Sequence, residues 1–126
     1  MFEGTLYIID ELIINDDSVK AKISLNSNHE IFKGHFPDMP ILPGVCTLQI
    51  IKELLIKKIN KNLILTQGDN IKFTAIINPL ETKNIEFDIK ILSVTNEFIA
   101  INCQVSGASV VVLKMKGTYS CSEMNN

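Results

Sequence analysis

His35 stands in Gly34-His35-Phe36-Pro37-Asp38-Met39-Pro40-Ile41-Leu42-Pro43-Gly44-Val45, a twelve-residue stretch that contains three prolines. An imidazole titrates near neutrality, so His35 can accept a proton at working pH. Each proline fixes φ and removes a backbone donor, which rules out a regular strand interior and leaves a rigid loop. Pro43 suits the first turn of a helix, where its missing N–H has no partner to lose. The loop therefore carries His35 to the mouth of a helix that begins near Gly44. At that mouth the N–H groups of Gly44 and Val45 have no helical partner and are free to bind an acceptor. Gly44 has no side chain to keep a ligand at a distance. Taken alone, His35 serves equally well as a residue capping a turn, with the prolines as packing.

Other groups that could do chemistry are few. Asp38 falls in the turn after His-Phe-Pro and reads as turn chemistry. Glu53 is a carboxylate on the expected helix, four residues before Lys57, and reads first as half of an i,i+4 ion pair. His29 is six residues from His35, with no further histidine and no acid at ligand spacing, so no metal site is expected. Cys46, Cys103 and Cys121 form neither an even framework nor a Cys-x-x-Cys pair, which fits reduced, buried thiols. Lys52, Lys57, Lys58 and Lys61 read as a solvated helix end, with a basic patch for an acidic partner as the alternative.

These residues must be positioned by a small set of elements. Val19, Ala21, Ile23 and Leu25 alternate with Lys20, Lys22 and Ser24, as in a strand with one wet face. Thr5–Ile14 reads as its hairpin partner through Asn15-Asp16-Asp17-Ser18. Beyond the helix the alternation resumes at Ile71, Phe73 and Ala75, then at Ile85, Phe87, Ile89 and Ile91. Phe98–Val105 and Val110–Tyr119 complete an expected antiparallel meander, broken at Asn78-Pro79, Thr95-Asn96-Glu97 and Ser106-Gly107. The helix, Pro43 to Asn60, carries apolar residues around most of its circumference, with Gln49, Lys52 and Glu53 as the polar interruptions before Ile56. Such a helix has to be wrapped by the strands, which is the α+β hotdog arrangement. One sheet of this size leaves an open edge, so two copies are expected to pair into a dimer or a multiple of dimers.

Composition sets the limits. The 126 residues, 46% of them hydrophobic, suffice for one domain over residues 1–126 with a real core. A net charge of −2 gives no electrostatic reason to expect nucleic acid. No apolar run reaches the roughly 18–20 residues of a membrane span, and Met1-Phe2-Glu3 lacks the basic start of a signal peptide, so a cytoplasmic location is the default expectation.

The segment Asn28–Val45 resembles the active-site signature of the bacterial β-hydroxyacyl-acyl carrier protein dehydratases, and Ile71-Lys72-Phe73 followed by Asn78-Pro79 resembles their next strand. The likeness runs over nearly the whole chain in length and element order. It implies a lyase that removes water from a 3-hydroxyacyl thioester to give the trans-2-enoyl thioester, in fatty acid or related polyene or lipid synthesis. It implies no cofactor of the protein's own, the substrate being carried on a 4′-phosphopantetheine arm by acyl carrier protein or coenzyme A. By the same resemblance His35 takes the α-proton, Phe36, Pro43, Gly44 and Val45 hold the substrate, and an acidic residue fourteen positions after the histidine, usually from the partner subunit, handles the departing hydroxyl. Here that position is Gln49. An amide can hold a hydroxyl but cannot donate a proton as a carboxylic acid does, and loss of a general acid typically costs on the order of 10²–10⁴ in rate. Glu53, one helical turn on and on about the same face, is the possible substitute acid. A thioesterase, or an acyl-carrier-binding subunit with impaired catalysis, is the alternative on the same fold.

Overall fold

Strand β2 (Ser18–Leu25) buries Val19, Ala21, Ile23 and Leu25 and turns Lys20 and Lys22 outward, as the alternation requires. The computed structural model describes residues 1–33 and 40–124, without the side chain of Asp69. Within it β2 pairs antiparallel with β1 (Tyr7–Ile14) through the turn at residues 15–17. A short 3-10 turn, Glu30–Phe32, follows and is capped by His29, whose Nδ1 accepts from the Ile31 N–H at 3.0 Å.

Helix α1 covers Gly44–Ile59. Pro43 occupies its N-cap in extended geometry, and Asn60 closes it in the left-handed conformation at φ 56°, donating its N–H to the Ile56 carbonyl. Ile50, Ile51, Leu54 and Leu55 have no exposed surface. They pack into one core with the inward residues of the strands, among them Ile23, Phe87, Ile101 and Leu113. The remaining side of the helix is open: Val45 is 74% exposed, with Leu48, Gln49, Lys52 and Ile56 half-buried beside it.

Four strands follow, β3 (Asn62–Phe73), β4 (Asn84–Val94), β5 (Phe98–Gly107) and β6 (Val110–Ser122). All six strands form one sheet in the order β1-β2-β4-β5-β6-β3. This is the hotdog fold, an antiparallel sheet curled around one long helix. Three details differ from the sequence reading. β3 begins nine residues before Ile71 and continues through register shifts between Leu65 and Asn70. The second half is not a plain meander, since β3 pairs with β6 at the far edge while β4 joins β2. The β5–β6 turn lies at Ala108 and Ser109, both at positive φ, rather than at Ser106-Gly107.

The loop before the helix is pinned from below. Leu42 donates to the Ile77 carbonyl at 2.8 Å, and Asn78 caps its own turn by accepting from the Leu80 N–H at 2.9 Å. The chain leaving β3 thus holds the chain entering α1. Among the described residues, no helix is long and apolar enough to cross a membrane. Leu54 faces the centre of the core, so Leu54→Ala is expected to lower stability by about 2–5 kcal/mol, read as a shift in the urea unfolding midpoint.

Candidate active site

Glu53 is 0% exposed, in the middle of an otherwise apolar helix face. Burying a carboxylate costs several kcal/mol unless donors replace the lost water. They do so here. Oε1 accepts from the Phe2 N–H at 3.1 Å, the Glu3 N–H at 2.9 Å and the Tyr7 hydroxyl at 3.0 Å. Oε2 accepts from the Phe2 N–H at 2.9 Å and from Gln49 Nε2 at 3.0 Å. Burial first, then the charge of Glu53, pushes the Tyr7 phenol above its ordinary range, which keeps it a donor.

The expected i,i+4 pair between Glu53 and Lys57 is therefore not formed. Lys57 is outside, 2.9 Å from Glu3, and holds down the same N-terminal segment whose backbone Glu53 binds. Gln49 and Glu53 do share a face, as their spacing requires, and they are in direct contact. The backbone and phenol donors that complete this cluster come from residues 2, 3 and 7. Sequence reasoning missed them, and the one available signal was a carboxylate set in an apolar helix face.

At the other side of the helix start, Pro43, Gly44, Val45 and Leu48 line an apolar groove of about 440 Å³ with Phe73 and Ile76. The first intrahelical backbone bonds are donated by Cys46 and Thr47 to Pro43, so the Gly44 and Val45 N–H groups precede the helical ladder. A Cβ on Gly44 would lie 2.7 Å from Phe73 Cζ, so the Phe73 ring packs into the space that the missing side chain leaves. Gln49 does not line this groove. It lies one turn beyond Val45, with its amide turned to Glu53. His35, Phe36 and Asp38 lie outside the described residues.

The remaining candidates have structural occupations. His29 caps the 3-10 turn and sets its ring edge-on to Phe2 at 6.1 Å. Cys46 and Cys103 are buried, and burial raises both thiols, which makes them poor nucleophiles. No group of metal-ligating side chains exists among the described residues.

Against known families, the ApeI-like model, described as ApeI dehydratase, matches residues 11–110. The chain belongs to this family of dehydratases. It is 25% identical over 125 residues to the 3-hydroxyacyl-[acyl-carrier-protein] dehydratase FabZ of Fusobacterium nucleatum, covering 93% of this chain and 87% of that one. It is 34% identical over 80 residues to the Lactococcus lactis enzyme of the same name, covering 57% and 56% respectively. Among solved structures, the dehydratase heterocomplex ApeI:P from Xenorhabdus doucetiae superposes with a TM-score of 0.75 at 15% identity, over 90% of this chain and 96% of that one. A hypothetical thioesterase with coenzyme A from Streptococcus pneumoniae superposes at 0.67 with 9% identity, over 95% and 88%. These two likenesses show the fold. The family assignment makes the chain dehydratase-like, in agreement with the resemblance read from Asn28–Val45.

The two acidic contacts to the N-terminal segment should differ sharply in weight. Glu53→Ala strands buried donors and is expected to cost about 3–5 kcal/mol. Glu3→Ala, which removes only a half-exposed ion pair, should cost less than about 1 kcal/mol. Paired denaturant titrations read the contrast.

Proposed function

We propose that this protein binds 3-hydroxyacyl thioesters on a phosphopantetheine arm and works as a 3-hydroxyacyl thioester dehydratase of low intrinsic rate, in a site built by two chains. The observation that carries the reading is the placement of Gln49 beside Glu53 in a member of a dehydratase family. In the proposed reaction His35 takes the α-proton, and the electron pair moves toward the thioester carbonyl, where the Gly44 and Val45 N–H groups stabilise the developing charge. The Cα–Cβ double bond then forms as the bond to the 3-hydroxyl breaks. The leaving hydroxide needs a proton, and an amide at position 49 has none to give. Besides the proton that His35 has just taken, no described residue at the proposed site offers one, so elimination is slow.

Glu53 does not fill the gap in this reading, because both its oxygens are already occupied by donors from residues 2, 3, 7 and 49. The same occupancy disfavours Glu53 as the carboxylate with which a thioesterase would activate water, and Asp38, the other candidate for that part, lies outside the described residues. Two chains are proposed because Gln49 does not line the groove at Gly44 of its own chain, and a shared site would bring that groove to Gln49 of the partner. The open edge of β3 and the exposed Val45, Ile64, Phe73 and Ile76 are the surfaces such a pairing would cover. A mixed dimer with an acid-bearing sister chain is the second reading. It is favoured by Gln49 itself, and the ApeI:P structure is named a dehydratase heterocomplex. A cytoplasmic setting, with acyl carrier protein or coenzyme A as the carrier, belongs to the same proposal.

Three measurements test it. Light scattering at micromolar concentration should give twice the chain mass or a multiple of it, and a stable monomer would contradict a shared site. Hydration of an enoyl carrier-protein thioester, the reverse reaction, should fall on the order of 10²–10⁴-fold in His35→Ala with the fold retained. Gln49→Glu should raise dehydration by at least about 10²-fold. A carboxyl group at position 49 restores a proton donor for the leaving hydroxide.

A further inference from the structure

The cluster around Glu53 does more than hold the N-terminus. We infer that Glu53 is a positioning residue: by engaging the Gln49 amide through its N–H, it leaves the carbonyl oxygen as the group offered to the ligand, and so makes the site select acyl chains that carry a 3-hydroxyl donor. This deepens the function proposed above and rests on it.

A side-chain amide has two chemically opposite ends that differ little in shape, and its partners decide which way it faces. Three of the donors on Glu53 cannot change role. The Phe2 and Glu3 N–H groups are backbone, and the Tyr7 phenol is held protonated by burial and by Glu53. A carboxylate surrounded in this way is an acceptor only, so at 3.0 Å from Glu53 Oε2 the Gln49 amide must present nitrogen. Its oxygen is then turned away from the cluster, and no described residue donates to it. An amide oxygen accepts a hydrogen bond from a hydroxyl and gains nothing from a saturated or 2-enoyl chain. Discrimination is strong when the alternative leaves a polar group unpaired. The device therefore favours retention of the hydroxylated ligand, which is the opposite of what assists departure of its hydroxyl.

The test uses the full-length protein and inert acyl-pantetheine analogues with nitrogen in place of the thioester sulfur, measured by calorimetry. Three probes are compared: 3-hydroxy, 3-fluoro and saturated. The fluorine is close to isosteric with hydroxyl but donates nothing. The wild type should bind the 3-hydroxy probe at least about tenfold more tightly than either of the others. In Glu53→Gln, which keeps the shape but frees the amide to flip, that preference should fall below about threefold while affinity for the saturated probe stays within about twofold. A merely structural role would weaken all three probes together. Equal binding of the three by the wild type, or an undiminished preference in a folded Glu53→Gln, overturns the inference and leaves the acyl-thioester reading standing. Binding of none overturns both. Should Glu53→Gln fail to fold, the wild type still decides: the Gln49 side-chain amide, identified in NMR spectra by its absence in Gln49→Met, should show one proton strongly protected from exchange. Exchange at the rate of an exposed glutamine overturns the inference.

Discussion

A buried carboxylate is tolerable only when donors surround it, and at Glu53 those donors come from the far end of the chain. The demand runs outward from there. The Phe2 and Glu3 N–H groups have to be brought to the helix, which fixes the segment before β1 and places Tyr7 at the start of that strand. Phe2, held by its own backbone, meets the edge of His29, which caps the last described turn before residues 34–39. The entry to the loop that carries His35 is thereby referred back to the same carboxylate that holds Gln49. Glu53 itself does not line the groove.

The groove at Gly44 obeys a separate constraint. Its walls are the start of α1 and the end of β3, and the bond from Leu42 to the Ile77 carbonyl ties the two together. Phe73 lies over Gly44 and is 53% exposed, so one flank of its ring packs while the other meets solvent. A ring with that much free surface can turn without dismantling the core, and Gly44 has no side chain to resist it.

Much of the fold was legible because period-2 and period-3.6 patterns are written in local sequence. The helix limits at Pro43 and Asn60, the β1–β2 hairpin and the burial of Ile85, Phe87, Ile89 and Ile91 follow from them. What local pattern does not carry is partner choice. That β3 pairs with β6 and β2 with β4 depends on how the sheet closes around the helix. The first nine residues of β3 lack a clean alternation, and their pairing with β6 runs through register shifts between Leu65 and Asn70. The site was legible in the same proportion. The family signature and the replacement at Gln49 stand in the sequence, whereas the true partner of Glu53 does not, because Lys57 at i+4 is the nearer and more obvious choice. Desolvation decides it: backbone amides and a phenol can follow a carboxylate into the core, and a lysine ammonium cannot do so cheaply.

The order of the strands also bears on how the chain comes together during synthesis. β1 and β2 emerge first as a hairpin, but a lone two-stranded hairpin is at best marginally stable in water. Its inner face waits for α1, its second neighbour β4 begins at Asn84, and the anchor for its leading segment is Glu53. Well over half of the chain must therefore leave the ribosome before the first strands gain a lasting partner. Contacts of such long sequence separation slow folding and lengthen the time that apolar strand faces stay exposed. The charged residues on the outward face of β2, Lys20 and Lys22, suit that interval, since they keep one side of the waiting hairpin soluble.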